Sequence, residues 1–436
     1  MSKKVFLSML LLLLLLVSPA TAEINTYCLT SDTQPLILLE KFGFTNPGRV
    51  EISTPSVSVV APSLQANFSR MGFFLIISEE YSSLIPQQNP TLCILDSPFI
   101  FRLFTFLDLP TPPLIFKGSY PINISNQYSL FFANCAPETS VTMEIQTEFY
   151  NLNHDGSRNY LSSGRTNLPS LFFLFSFSFF AFFMAFSLYL YHHVSIHSFD
   201  ELHFWMLLLL LAKALSLLFT ALDKINVKLT GTPYGLEVFI FLFDLVVIFS
   251  LLRVVIFVGI KRTFLHPVGS MVLYFVFMLQ YMAHICDEDW VDWTQAFLVL
   301  NLISWCAIVF LIVWSARSSI REIITSKNEG EPAAVNWYKF SCSMFFYLVV
   351  MGYFIFTPFG VFALKTAIAY EYEWVSNLVQ ETGNLLFCIF IMFYLLVRPH
   401  KDGYSVKEQV EEIVAQDEVE LQFETISHSR EQFLHL

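Results

Sequence analysis

The sequence predicts an N-terminal all-β sandwich followed by an all-α bundle of seven transmembrane helices. From Pro169 onward it carries seven apolar segments, each long enough to cross about 30 Å of hydrocarbon at about 1.5 Å per residue. The preceding part has short alternating segments that Pro, Gly and Asn interrupt. Composition agrees with a membrane protein, because 55% of the 436 residues are hydrophobic and only 14% are charged, whereas soluble domains carry about a quarter charged residues.

Residues 1–22 have the pattern of a cleaved signal peptide. A basic start and an apolar run from Val5 to Val17 precede Ala20 and Ala22, which are the small residues of a cleavage site. The run is shorter than the roughly 20 residues that a spanning helix needs, which disfavours the alternative of an uncleaved anchor. We therefore expect the mature chain to start at Glu23.

Residues 23–167 are predicted to form a small antiparallel β-sandwich that is luminal or extracellular. The clearest strand is Val141–Tyr150, where apolar and polar side chains alternate before the turn residues 153–156. The other predicted strands are Arg49–Val60, Gly72–Ser78, Leu92–Leu95, Ile100–Leu107 and Tyr128–Cys135.

Glycosylation and a disulfide are predicted for this domain. Asn67 and Asn123 begin Asn-x-Ser sequons, and no sequon occurs later in the sequence. Of the three cysteines before the first apolar segment, Cys93 and Cys135 both end strand-like segments and are predicted to pair, which leaves Cys28 over. A disulfide that closes a loop of this length stabilises a small domain by roughly 3–4 kcal/mol on the chain-entropy model.

Residues 168–397 are predicted to form the seven-helix bundle, and residues 398–436 an acidic cytosolic tail. The predicted spans are about 169–191, 203–222, 236–259, 268–286, 293–315, 338–357 and 376–397. With the N-terminus luminal or extracellular, the cations Lys261, Arg262, Arg317 and Arg321 fall on cytoplasmic segments, as the positive-inside rule requires. We expect a multi-pass protein of the Golgi, the wider endomembrane system or the plasma membrane.

Lys213 lies in the middle of the second apolar segment. A cation at this depth is costly and normally faces the bundle interior with a partner. Asp244 in the third segment lies at a similar depth of about 12–14 Å, and Glu381 in the seventh is the other candidate. The three residues form either an ion, proton or ligand site or a structural ion pair that fixes helix register.

The chain offers no convincing catalytic set, so we expect neither an enzyme nor a bound cofactor. It has no Gly-rich phosphate loop, no Gly-x-Ser-x-Gly elbow and no Cys-x-x-Cys pair. His193 and His197, with Asp200 and His203 nearby, are a weaker alternative as a zinc site. The net charge of −12, much of it in the tail, repels nucleic acid, so no nucleic-acid partner is predicted.

Four stretches resemble a known family. They are AKALSLLFTALDKINVKLTGTPYG (212–235), ALKTAIAYEYEWVSN (363–377), FFANCAPET (131–139) and the pair Arg398-Pro399. The chain resembles the lung seven-transmembrane receptor family, whose members carry a luminal Golgi-dynamics (GOLD) domain, and it is most similar to the plant members called candidate G-protein-coupled receptors. The resemblance implies a Golgi-dynamics-like fold for the luminal sandwich.

The resemblance implies two competing functions. One is signalling through a heterotrimeric G protein, including a part in plant–microbe interactions. A receptor of this kind would recruit the α subunit through the cytoplasmic loops that hold Lys261, Arg262, Arg317 and Arg321. The other is a Golgi trafficking factor or cargo receptor without G-protein coupling, and an ion channel is a further alternative. The third segment has no Asp-Arg-Tyr and the seventh no Asn-Pro-x-x-Tyr, so any coupling uses another mechanism.

Overall fold

The structure, a computed structural model, describes two β-sheets followed by long helices. The described residues are 24–60, 68–78, 93–109, 116–136, 139–193, 201–259, 317, 345–346, 348–353, 356–357, 360–361 and 363–397. The predicted signal peptide, the acidic tail and the fourth and fifth predicted spans lie outside them.

Nine strands of the described part form two antiparallel sheets. The strands are β1 (Ile24–Asp32), β2 (Leu36–Phe44), β3 (Gly48–Val60), β4 (Met71–Ile77), β5 (Phe101–Thr105), β6 (Phe116–Ile122), β7 (Asn126–Asn134), β8 (Ser140–Leu152) and β9 (Arg158–Asn159). The first sheet has the order β1-β8-β3-β6, with β9 paired to β8, and the second has the order β2-β7-β4-β5.

One apolar cluster draws on both sheets. Alternate residues of β8, such as Val141, Met143 and Ile145, are buried in it, as are Phe73 and Phe132 of the second sheet. The period-two alternation of a strand explains this arrangement, since successive side chains point to opposite faces. The prediction of an N-terminal sandwich is confirmed at the level of two packed antiparallel sheets.

The second sheet is also covered on its outer face. Phe74, Ile76 and Phe131 form a second buried cluster together with Cys93 and Leu95. Strands buried on both faces read as continuous apolar runs rather than alternating ones, and β4 (MGFFLII) and β7 (NQYSLFFAN) have that sequence. The short segment around Cys93 therefore covers the outer face of this sheet.

Four long helices are described after the sheets. They are α1 (Leu168–His193), α2 (Glu201–Thr230), α3 (Glu237–Gly259) and α4 (Glu373–Val397), which match the first, second, third and seventh predicted spans. In the described residues, three helical stretches are long and apolar enough to cross a membrane: Ser163–His193, Glu201–Thr230 and Tyr370–Leu395. Of the sixth predicted span, residues 345–346, 348–353 and 356–357 are helical.

The strand predictions needed four additions and one correction. No strand was predicted at β1, β2, β6 or β9. The predicted strand Leu92–Leu95 is wrong in its described part, where Ile94–Asp96 form a 3-10 turn closed by the bond from Asp96 N to Cys93 O. Apolar residues occur there because they cover the second sheet, so their burial does not require a strand.

Candidate functional site

Lys213 of α2 forms an ion pair with Glu381 of α4. Its Nζ lies 3.0 Å from Glu381 Oε1, and the two side chains are only 14% and 7% exposed. Each charge alone at this depth would lack the solvation that water provides, and the contact replaces that solvation in part. The pair therefore joins two helices that are more than 160 residues apart in sequence (separation 168).

Two of the next three residues of α2, Ala214 and Ser216, contact two further helices. The carbonyl oxygen of Ala214 accepts a hydrogen bond of 2.8 Å from Ser176 Oγ of α1. Ser216 Oγ donates to Asp244 Oδ1 of α3 at 2.5 Å. Residues 213–216 thus link α2 to α1, α3 and α4, and we call this turn of α2 the polar hub.

The polar hub has a clear chemical role in holding helices together. The faces of membrane helices are uniformly apolar, so polar contacts and close packing decide which faces meet. Hydrogen bonds between membrane helices contribute about 0.6 kcal/mol on average, and breaking a buried charge pair by removing one partner costs about 3–5 kcal/mol. Among the hub contacts, the Lys213–Glu381 pair is therefore expected to dominate.

We call β1–β9, together with the connection from β9 to α1, the β domain. The end of α2 contacts this domain through Gly231. Ile24 N donates to Gly231 O at 3.2 Å, and Tyr160 N donates to Lys228 O at 3.1 Å. Gly231 has a φ of 75°, and a Cβ there would lie 2.8 Å from Ile24 Cδ1 and 2.9 Å from Tyr160 Cδ1. Both the left-handed backbone and the close approach of the β domain require glycine at this helix end.

The start of α4 contacts the β domain on a second side. A Cβ on Gly164 would lie 1.9 Å from the carbonyl oxygen of Tyr370, so the two backbones touch directly. Arg165 Nε donates to Glu373 Oε1 at 3.0 Å, and Gly43 N of β2 donates to Ser162 Oγ at 3.0 Å. The connection before α1 is therefore bonded both to the sheet and to the first residues of α4.

We call the contacts at Gly231 and at Gly164 together the junction between the β domain and the helices. A charged cluster on the first sheet includes Tyr160, whose N–H is bonded there to Lys228 O. Arg158 contacts Glu148, lies 4.4 Å above the ring of Tyr150 and comes within 3.7 Å of Glu51. The hydroxyl of Tyr160 donates to Glu148 at 2.9 Å, and that of Tyr150 donates to Glu51 at 2.7 Å. Burial raises the pKa of Tyr160, and burial with the bond to Glu51 raises the pKa of Tyr150 to about 12. Both hydroxyls therefore remain donors at neutral pH.

Comparison with known proteins identifies the family. Residues 25–151 match the family model described as the N-terminal domain of CAND6/7. Over 427 residues, the chain is 38% identical to the Arabidopsis thaliana protein named candidate G-protein coupled receptor 6, covering 94% of this chain and 98% of that protein. The chain belongs to the candidate G-protein coupled receptor 6 and 7 family. This finding confirms the resemblance to plant candidate G-protein-coupled receptors.

The structure brings some of the predicted site residues into contact with one another and leaves others apart. It brings Lys213 together with Glu381, while Asp244 is joined to the same turn of α2 through Ser216. A disulfide joins Cys93 to Cys135 across a sequence separation of 42. Cys28 is exposed and carries a free thiol.

The other predicted residues lie at the surface or outside the described part. Asn123 is exposed in the turn between β6 and β7, and Arg317 is exposed. Asn67, Lys261, Arg262 and Arg321 lie outside the described residues, as do His197 and Asp200 of the weaker zinc alternative. Within the described ranges, no group of three or more His, Cys, Asp or Glu residues is arranged to hold a metal ion.

Sequence reasoning missed the glycine contacts at the junction and Arg253 in α3. The glycine contacts had no sequence signal, because a glycine in a polar loop reads equally well as an ordinary turn. Arg253 had a signal of the same kind as Lys213, a cation inside an apolar segment, and its surroundings are described below.

Proposed function

We propose that the protein is a receptor-like seven-transmembrane protein that signals through a heterotrimeric G protein, with its β domain luminal or extracellular and its tail cytosolic. The observation that carries the proposal is the attachment of the β domain to α2 and α4, the two helices that the Lys213–Glu381 pair joins. The name of the Arabidopsis relative, candidate G-protein coupled receptor 6, favours this function over the alternatives.

The contacts suggest how a signal passes from one side to the other. A ligand or cargo that binds the β domain and moves it would move Gly231 at the end of α2 and Glu373 at the start of α4. These helices meet again at the polar hub, near the middle of α2. A shift at the end of α2 or α4 must therefore change the contact between Lys213 and Glu381, because close-packed helices move between discrete arrangements rather than deform smoothly.

The proposed contact surface for the G-protein α subunit, on the cytosolic side, is basic. Lys261, Arg262, Arg317 and Arg321 supply four positive charges on predicted cytoplasmic segments. The proposal needs no catalytic step in this chain, since the exchange of nucleotide would take place on the G-protein α subunit. The protein is therefore proposed to be non-enzymatic.

The test measures recruitment of a G-protein α subunit to the full-length protein in plant cell membranes by energy transfer between luminescent and fluorescent tags. Reversing Lys261, Arg262, Arg317 and Arg321 to Glu should abolish the signal. The matched control reverses Lys224 and Lys365, which lie on predicted outer loops, and should leave it unchanged. Recruitment that survives the four reversals contradicts the proposed contact.

The cellular location of the same tagged protein separates G-protein signalling from membrane trafficking. Absence of recruitment by the unaltered protein, together with a steady-state Golgi pool and missorted cargo on loss of the protein, would favour a trafficking factor instead.

A further inference from the structure

Arg253 is a cation inside the third predicted span with no acidic partner among the described residues. It lies in α3, six residues before the helix ends at Gly259, and its Nε is buried without a hydrogen-bond partner there. An arginine is always charged and carries five donors. A guanidinium whose Nε is buried and unbonded is costly, which makes it a candidate for binding an acceptor.

Ser250 adds a second unused donor one turn earlier. Its residue exposure is 0%, and its Oγ has no hydrogen-bond partner within the described ranges. Buried hydroxyls are nearly always bonded, in helices often to the carbonyl four residues before. Residues three apart on a helix are neighbours, so Ser250 and Arg253 present their donors on one side of α3.

Aromatic rings flank the guanidinium. Its Cζ lies 5.6 Å from the ring centroid of Trp205 in α2 and 5.6 Å from that of Phe249 in α3. Trp205 is in turn fixed, since its Nε1 donates to Glu201 Oε1 at 2.9 Å. The exposed carboxylate of Glu201 is therefore engaged by the indole, and no ion pair to Arg253 is formed in the described part of α2. The rings hold the guanidinium in place without using its N–H donors.

Depth along the helices indicates which acceptor reaches these donors. Six residues at 1.5 Å place the backbone of Arg253 about 9 Å from the end of α3. An arginine side chain is long enough to cover much of that distance, so its guanidinium can extend toward the lipid headgroups. Trp205 lies four residues after the start of α2, where membrane proteins commonly place tryptophan at the interface. An acceptor at this level of the bilayer is the phosphate of a phospholipid.

The geometry points to a phosphate-binding site formed by Arg253 and Ser250, bordered by Trp205, that holds the headgroup phosphate of one membrane phospholipid between α2 and α3. Guanidinium groups bind phosphate oxygens by charge-assisted hydrogen bonds, and a serine hydroxyl donates a further bond. The inference requires that α2 and α3 lie in a membrane, and it is independent of G-protein coupling.

The test uses the full-length protein, purified in non-ionic detergent and stripped of lipid, and measures adducts by native mass spectrometry. The probes are dioctanoyl phosphatidic acid, dioctanoylglycerol, which lacks the phosphate, and sodium phosphate. We expect one phosphatidic acid adduct, no matching diacylglycerol adduct, and at least tenfold weaker binding of free phosphate. Equal binding of diacylglycerol overturns the phosphate contact, and equal binding of free phosphate overturns the lipid as its source.

Variants then assign the adduct to residues. Arg253→Gln should weaken phosphatidic acid binding at least tenfold, whereas the matched control Arg102→Gln, an exposed arginine in β5, should leave it unchanged. Binding that is the same in both variants overturns the assignment.

Ser250→Ala keeps the charge and guards against misfolding of the Arg253 variant. It should weaken the adduct about fivefold while leaving the melting temperature of the lipid-free protein unchanged or raised, because it removes an unsatisfied hydroxyl. Unchanged phosphatidic acid binding in Ser250→Ala, with intact folding, removes Ser250 from the site and contradicts the proposal.

Discussion

The β domain and the helices place their polar groups in opposite ways. In the β domain, apolar side chains fill the space between the sheets, and the charged cluster around Arg158 lies at the surface, with its guanidinium side chain 47% exposed. In the helices, the charges of Lys213 and Glu381 lie inside, and many apolar side chains, such as Phe177 and Leu174, are exposed. The two regions are built for different solvents.

The difference shows what fixes the arrangement in each region. In the β domain a one-residue slip would move the alternating buried side chains of β8 to the other face, so alternation specifies which face of the strand enters the core. Rotating α3 in lipid exchanges one apolar face for another, because Asp244 and Arg253 are the only charges after its first residue. The polar hub therefore has to do in the helices what alternation does in the strands.

The largest expected loss of stability comes from removing the Lys213–Glu381 ion pair, which tests the comparison between the two regions most strongly. Lys213→Ala leaves Glu381 charged and buried, and we expect a loss of about 3–5 kcal/mol in stability, seen as a fall in folded yield and export. Lys213→Arg keeps the charge and should be milder. Normal abundance and processing of Lys213→Ala would mean that the hub does not determine how the helices pack.

The next effect concerns the β domain alone. Replacing Cys93 and Cys135 together by Ser should destabilise the domain by about 2–4 kcal/mol, because the bond closes a loop across a separation of 42 residues. Thermal unfolding of the full-length protein checks this loss. The matched control is Cys28→Ser, a free and exposed cysteine that should have no effect, and an equal loss in that control would contradict the assignment.

A smaller effect tests the junction that joins the two regions. Gly231→Ala and Gly235→Ala both place a Cβ at a φ near 75°, which costs about 1–2 kcal/mol. Only at Gly231 would that Cβ also meet Ile24 and Tyr160, whereas nothing lies within 4 Å at Gly235. We expect Gly231→Ala to be the more destabilising by about 1 kcal/mol or more, measured by limited proteolysis between the β domain and α1. Equal proteolysis of both variants would show that the close approach is unimportant.

The smallest effect is expected at Arg165. Its ion pair with Glu373 is about one-third exposed on each side, and such pairs contribute about 0–1 kcal/mol. Arg165→Gln should therefore change the melting temperature of the protein only slightly. Raising the salt concentration should change the melting temperature of the unaltered protein by a similarly small amount. A large loss would mean that charge, rather than the contact of Gly164 with Tyr370, holds the junction.

Alternation predicted some strands and missed others for physical reasons. β3 and β8 alternate cleanly and were found, within two residues at each end. β6 contains Gly118 and Pro121, which normally count against a strand, yet it lies at the end of the first sheet, where an edge strand tolerates proline. β2 begins with four consecutive apolar residues, Leu36–Leu39, so its N-terminal half does not alternate with period two.

The ion pair shows where sequence reasoning about the site stops. The depth of Lys213 along its helix admitted two partners, Asp244 and Glu381, because depth does not tell which way each helix is rotated. The structure brings Glu381 to Lys213 and gives Asp244 the hydroxyl of Ser216. That choice depends on how four helices pack, which no spacing within one segment records.

The measurement that tests the account most directly is a charge exchange at the hub. Lys213→Glu and Glu381→Lys are made singly and together in the full-length protein, and the amount of folded protein is measured for each. We predict that each single variant loses most of its folded protein, because two like charges then face each other, and that the exchanged pair recovers a substantial part. If the double variant is no better than the worse single variant, Lys213 and Glu381 do not act as a pair and the account of the hub is wrong.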